Sequence, residues 1–169
     1  MLSIESQSTQ QLSALLLSTA LGEKLLARGW RVATAESCTG GGVAAAITAI
    51  AGSSEWFEYG VVSYANRAKE KLLHVKTETL SQEGAVSQAV VEQMIGGVLA
   101  LADADIAVAV SGIAGPSGGT PEKPVGTVWI AWGLASGITH SKRFQFSGNR
   151  AAVQQESVVE ALKGLLNLL

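Results

Sequence analysis

The stretch from residue 105 to 111, Asp-Ile-Ala-Val-Ala-Val-Ser, restricts the fold more than any other part of the chain. A strand with one wet face alternates polar and apolar residues. A continuous apolar run instead belongs to a strand covered on both faces, the setting of parallel and mixed sheets between helices. The rest of the chain supplies candidates for the cover. Ala14, Leu17, Leu21 and Leu25 recur at helical spacing, with Glu23, Lys24 and Arg28 turned away and Gly29 as a stop. Ser87 is placed to cap a longer helix whose Val90, Val91, Met94, Ile95 and Val98 form an apolar stripe ending near Asp103. Asn149 is placed to cap a last helix with Val158, Ala161, Leu162, Leu165 and Leu169 on one face.

Between these, residues 31–35 read as a first strand and residues 40–50, rich in Ala and Gly, as a helix. Residues 56–64 read as a second strand and 67–73 as a short helix, and 77–84 as a further helical turn with Thr77 as cap. Residues 125–134 and 138–146 read as an antiparallel hairpin whose second strand, with Ile138, His140, Lys142 and Phe144 alternating, is an edge. Residues 1–9 are polar and expected to be loose, leaving one domain over 10–169. Helices and strands interleave early and a hairpin closes the series, so the expected class is α/β: a single-domain α/β/α sandwich with a mixed sheet.

Composition narrows the function classes. The chain has 169 residues, of which 47% are hydrophobic and 15% charged, enough to bury a core without metal or disulfide staples. Its formal net charge is −2 and no Lys or Arg run occurs, which argues against a nucleic-acid face or a membrane-surface helix. Cys38 is the one cysteine and His74 and His140 lie far apart, so neither a disulfide framework nor a zinc cluster is expected, and a reducing cytoplasm fits. The apolar residues 12–21 lack a preceding basic residue, and Glu23, Lys24 and Arg28 follow too soon for a spanning helix.

The chemistry concentrates at Thr34-Ala35-Glu36-Ser37-Cys38-Thr39-Gly40-Gly41-Gly42, where the first strand stops and the small-residue helix begins. A serine at such a junction is held by rigid backbone on both sides, glycines admit a ligand to the main chain, and the next helix offers free N–H groups. Ser37 is therefore either a nucleophile with an oxyanion or phosphate cradle, or a helix cap beside packing glycines. A Ser-His-Asp set is not available, because neither histidine lies near a strand end or a glycine turn. The remaining activator is a lysine with a depressed pKa, and Lys69, one turn into the helix after the second strand, is the candidate. Lys69 equally suits a solvated helix position paired with Glu70 or Glu78, and Tyr64 a half-buried strand aromatic. Arg150 sits in the first turn of the last helix, where a cation opposes the helix dipole unless an anionic ligand is present or it reaches Glu156 or a carbonyl. The loop 112–124 holds four glycines and all three prolines, a density typical of functional loops, yet neither it nor residues 40–42 carries a P-loop or dinucleotide fingerprint.

Taken together, Ala35–Gly41 (Ala-Glu-Ser-Cys-Thr-Gly-Gly), Ala51-Gly-Ser-Ser, Val62-Ser-Tyr-Ala-Asn with Ala68-Lys69 and Leu72-Leu73, Gly84-Ala-Val-Ser87, Ser111-Gly-Ile-Ala-Gly-Pro116, residues 118–128 and Phe146-Ser-Gly-Asn-Arg150 closely resemble the C-terminal domain of the competence/damage-inducible CinA family. The resemblance runs in unchanged order from about residue 10 to the end. Its stand-alone, PncC-type members are nicotinamide-nucleotide amidohydrolases. The resemblance implies hydrolysis of nicotinamide mononucleotide to nicotinate mononucleotide and ammonia in pyridine nucleotide salvage, with no metal and no cofactor. It makes Ser37 the nucleophile and Lys69 its base, with Tyr64 in the same hydrogen-bonding set. Thr39, Gly40, Gly41, Asn66, Ser111, Gly112, Gly115 and Arg150 are then expected to contact substrate, and N–H groups of residues 38–41 to hold the oxyanion. The N-terminal domain of longer members, which resembles molybdopterin-binding proteins, has no counterpart here, and its activities are not carried over.

Four positions depart from the common pattern: Tyr59 where arginine is frequent, Arg67 where an acid often precedes Ala-Lys, His74 where glycine is usual, and Gln154 where a second arginine follows Arg150. The alternative from another class is a silent domain that binds a nucleotide or a protein partner in a competence or DNA-damage response. A homo-oligomer is compatible with the apolar strand edges and Leu-rich ends.

Overall fold

A computed structural model describes residues 4–169. The elements are α1 (Ile4–Arg28), β1 (Val32–Glu36), α2 (Gly42–Thr48), β2 (Phe57–Val62), α3 (Asn66–Leu73), α4 (Thr77–Glu83), α5 (Gln88–Ala102), β3 (Ile106–Gly112), β4 (Thr127–Leu134), β5 (Thr139–Gln145) and α6 (Arg150–Leu168). The five strands form one sheet in the order β2-β1-β3-β4-β5, parallel across β2, β1 and β3 and antiparallel across β3, β4 and β5. This is the mixed sheet expected, with β5 at the edge.

The central run is not uniform. Ile106, Val108 and Val110 join Leu21, Leu25, Val43, Ile47, Leu162 and Leu165 in the core under α1, α2 and α6. Ala107 and Ala109 face the opposite way, with Ala33, Ala35 and Ala131, toward Val90, Val91, Met94, Ile95 and Val98 of α5. Period-two alternation thus sorts large from small residues instead of apolar from polar, because both faces are dry. Small residues bring α5 close. A Cβ at Gly97 would stand 2.1 Å from the Leu73 carbonyl oxygen, and one at Gly133 would stand 2.3 Å from Ile95 Cγ2.

Several local expectations change. α1 starts at Ile4, so the first helix takes in residues 4–9; residues 1–3 lie outside the described residues. α2 begins at Gly42, not at residue 40, because Gly40 (φ 62°) and Gly41 (φ 98°) adopt left-handed backbone that cannot enter a right-handed helix. β1 runs one residue further than expected and ends on Glu36. Thr77 does not cap α4: Lys76 holds the cap position with no side-chain hydrogen bond. The other caps form as expected, with Ser87 Oγ accepting from Val90 N at 3.4 Å and Asn149 Oδ1 accepting from Ala152 N at 3.0 Å. Among the described residues, no helix is long and apolar enough to cross a membrane.

Candidate active site

Ser37 is the first residue beyond β1, and its N–H donates to Val110 O of β3 at 2.9 Å, so the sheet itself fixes the turn. Glu36, 1% exposed, fixes the other side. Its carboxylate accepts from Val43 N at 3.0 Å and Ala44 N at 2.9 Å, and its carbonyl accepts from Ser63 N at 2.8 Å. A carboxylate at a helix N-terminus satisfies orphan donors and complements the dipole. The first N–H groups of α2 are therefore engaged and do not serve as an anion cradle, contrary to the sequence expectation. The Gly40 N–H is engaged as well, donating to Ser37 O at 3.0 Å.

Lys69 is not a solvated helix residue. It is 1% exposed, and its Nζ lies 3.0 Å from Ser37 Oγ, 2.7 Å from Ser63 O and 3.4 Å from Tyr64 O. Among the described residues, the ion pairs are Arg31–Glu58 and Lys163–Glu160, so no carboxylate compensates this ammonium. Burial lowers its pKa from 10.5 to about 8. A neutral amine has two N–H groups and one lone pair. As placed, Nζ donates to the Ser37 hydroxyl oxygen and to the Ser63 and Tyr64 carbonyls, matching the three N–H groups of the ammonium; on deprotonation two N–H groups keep the carbonyls and the lone pair is left for the Ser37 hydroxyl.

Tyr64 joins this set through two different groups. Its carbonyl faces Lys69, whereas its phenol, on a residue 59% exposed, accepts from Arg150 at 2.9 Å. Arg150 also donates to Gly115 O at 2.9 Å, so the guanidinium is tied to a distant carbonyl and not to Glu156. Ser111, 1% exposed, donates its hydroxyl proton to Ala85 O at 2.7 Å, which leaves its lone pairs as acceptors. Burial pushes the Cys38 thiol up to about 12, which keeps it protonated beside the serine.

Ser37, Cys38, Tyr64, Lys69, Ser111, Gly112 and Arg150 line one cleft of about 220 Å³, with Ala85, Val86 and Ala114 supplying apolar wall. Gly112 keeps that wall open, since a Cβ there would stand 3.0 Å from Cys38 Sγ and 2.6 Å from a Val128 methyl. Ile113 N donates to Thr127 O, so ladder parity directs the Gly112 N–H away from β4 and toward the Ser37 turn. Five expected contacts lie outside this cleft. Thr39 lines a separate, larger cleft; Gly40 and Gly41 shape the turn; Asn66 is exposed at the start of α3. Gly115 acts through its carbonyl on Arg150.

Glu36, Ser63 and Gln154 are parts of the site to which the sequence had assigned no role. A buried acid just before a small-residue helix is a signal for the first; the other two contribute through backbone-directed contacts that no spacing encodes. Gln154 donates to Cys38 O at 2.8 Å, so this departure from the family pattern braces the Ser37 turn. His74, another departure, ends α3 with φ 54°, backbone that favours the usual glycine.

Comparison with known proteins follows the same lines. The family model described as the CinA C-terminal domain matches residues 15–169. The chain is 55% identical over 152 residues to the nicotinamide-nucleotide amidohydrolase PncC of Pseudomonas putida, covering 90% of this chain and 94% of that protein. It is 55% identical to the PncC of Escherichia coli strain K12, covering 88% and 90%. A crystal structure of a competence/damage inducible protein from Agrobacterium tumefaciens superposes with a TM-score of 0.91 at 41% identity, covering 92% of this chain and 95% of that one. With a family match over nearly its full length, and relatives of its own size sharing more than half its residues, this chain belongs to the CinA C-terminal domain family.

Proposed function

We propose that the protein hydrolyses nicotinamide mononucleotide to nicotinate mononucleotide and ammonia, a salvage step for pyridine nucleotides, with Ser37 as nucleophile and Lys69 as its base. The observation that carries this is the 3.0 Å approach of Lys69 Nζ to Ser37 Oγ in a buried site without a counter-ion. The names of the 55% identical relatives point to the same reaction.

Neutral Lys69 takes the Ser37 proton as Oγ attacks the carboxamide carbon, and the C=O pair moves onto oxygen. The oxyanion meets the N–H groups of Gly112 and Cys38 at the closed end of the cleft. Donors of this kind are each worth about 3 kcal/mol of barrier where one has been removed. The Lys69 ammonium returns the proton to nitrogen, the C–N bond breaks, and ammonia leaves an ester on Ser37. Water then attacks that ester with Lys69 as base, and the acyl–oxygen bond breaks as the proton returns to Ser37. The volume of about 220 Å³ suits the pyridinecarboxamide, stacked against Ala85, Val86 and Ala114, with the ribose phosphate projecting past the rim toward Arg150. Ser111 orients the carboxamide through its free lone pairs. The lone cysteine and the absence of basic runs fit a cytoplasmic enzyme with a small-molecule substrate and no nucleic-acid partner.

The test is ammonia release from nicotinamide mononucleotide by the purified protein beside Ser37→Ala and Lys69→Ala. Loss of about a thousandfold or more in both variants is expected. Activity surviving Ser37→Ala would move the nucleophile elsewhere, and an inactive, folded parent would overturn the reaction.

A further inference from the structure

A second cleft, about 700 Å³, opens on the other side of the nucleophile turn between α1, α2 and α6. Its walls are apolar, with Leu12 and Leu15 of α1, Ala45, Ala46 and Ala49 of α2, and Val158 of α6, and no ionisable side chain lines it among the described residues. Small residues alone would mark only a packing gap. The polar atoms distinguish this one. Among the described residues, five buried side-chain oxygens or nitrogens lack a hydrogen-bond partner, and three of them, Gln10 Oε1, Thr39 Oγ1 and Gln155 Oε1, belong to residues lining this cleft. Thr39 is 7% exposed, and it sits two residues after Ser37. A buried polar atom without a partner loses the hydrogen bonds it had with water, so native structures rarely keep them and seldom gather three at one place without a use.

We propose that this cleft is a second ligand site, distinct from the Ser37 cleft, for an uncharged heteroaromatic molecule of nucleoside size that carries amino or hydroxyl donors. The size follows from the volume, which lies in the range of small-molecule sites. Neutrality follows from the lining, because a charged ligand would lose its hydration with no opposite charge to receive it. The alanine and leucine walls take the ring faces. Rotation about the terminal bonds of Gln10 and Gln155 and about the Thr39 side chain turns the three oxygens to donors that the ligand supplies. A ligand seated there would touch Thr39 and Gly42, and Gln154 beside them, which holds the Cys38 carbonyl at 2.8 Å.

Adenosine is a suitable probe, being neutral at pH 7, flat over its purine and rich in N–H and O–H donors. Calorimetric titration of the intact protein is expected to show saturable binding in the micromolar to low millimolar range. Thr39→Val, of equal size but without the hydroxyl, is expected to weaken it at least fivefold while the melting temperature stays unchanged or rises, since the lost hydroxyl had no partner. Ala45→Leu, at an exposed helix position where leucine is well tolerated, is expected to fill the cleft and abolish binding. Absence of saturable adenosine binding would overturn the proposal, as would undiminished binding to Ala45→Leu. A concentration-dependent dimer in sedimentation that Ala45→Leu disrupts would also overturn it, assigning the cleft to a second copy of the chain.

Discussion

Lys69 Nζ lies 3.0 Å from Ser37 Oγ although the two residues are 32 positions apart. One side chain comes from the turn after β1 and the other from the first turn of α3, and Ser63 and Tyr64 supply the carbonyls that hold the amine between them. Because burial lowers the Lys69 pKa to about 8, a fraction of the amine is neutral near pH 7. If it is the base, kcat/KM for ammonia release rises about tenfold per pH unit well below pH 8 and levels above it. A flat profile from pH 6 to 9 would remove Lys69 from the base role. Lys69→Arg, which cannot deprotonate in this range, is expected to be as inactive as Lys69→Ala.

The same burial makes a stability prediction. The folded-state pKa of Lys69 lies below its ordinary value of 10.5. Below pH 8 both folded and unfolded chains carry the proton, and the full penalty of a buried charge is present. Between about 8 and 10.5 the folded chain has lost the proton and the unfolded chain has not, so stability from this group rises with pH. Lys69→Met removes the titration. Its stability relative to the parent is expected to fall by about 3 kcal/mol in total as pH rises from 7 to 11, the equivalent of about 2.5 pKa units. Urea denaturation of both proteins across that range measures it.

The Tyr64 phenol accepts from Arg150 at 2.9 Å, and if its part in the reaction is to hold that guanidinium, its removal acts on substrate binding more than on proton transfer. Tyr64→Phe is expected to raise KM for the nucleotide about threefold to tenfold with kcat little changed, and Arg150→Ala to raise it further. The double variant is expected to be no worse than Arg150→Ala, since the phenol acts through the arginine. A kcat loss of a hundredfold or more in Tyr64→Phe would return the phenol to the chemistry.

Glu36 receives two backbone N–H groups of α2 while buried. Glu36→Gln replaces one acceptor oxygen with an NH₂ facing an N–H and removes the charge that complements the dipole. A loss of about 1–3 kcal/mol is expected by urea denaturation at pH 7. Equal stability of parent and variant would show that α2 does not depend on this carboxylate.

Two adjacent glycines of α5 offer an internal control on packing. Gly97 abuts the Leu73 carbonyl, where a Cβ would lie at 2.1 Å, whereas nothing lies within 4 Å of a Cβ at Gly96. Gly97→Ala is expected to cost about 3 kcal/mol by forcing α3 and α5 apart. Gly96→Ala is expected to gain about 0.5–1 kcal/mol from helix propensity. Thermal melts of the two variants should move in opposite directions.

The sequence by itself determined the strand covered on both faces, the caps at Ser87 and Asn149, the closing hairpin and the turn carrying Ser37. Each of these depends on near neighbours: alternation, a capping oxygen three residues ahead, or glycines where φ must be positive. It also left a lysine as the candidate activator, should Ser37 be a nucleophile, because neither histidine lies near a strand end or a glycine turn. Only the tertiary structure decided that Lys69 is buried, because a periodic pattern tells which way a residue faces and not what it meets. The placement of β2 beside β1 brings the start of α3 over the Ser37 turn. Likewise, nothing local separates an anion cradle at α2 from one already filled by Glu36, or a phenol near Lys69 from one held by Arg150, 86 residues away. Those outcomes depend on which long-range donors and acceptors the folded sheet brings within 3 Å.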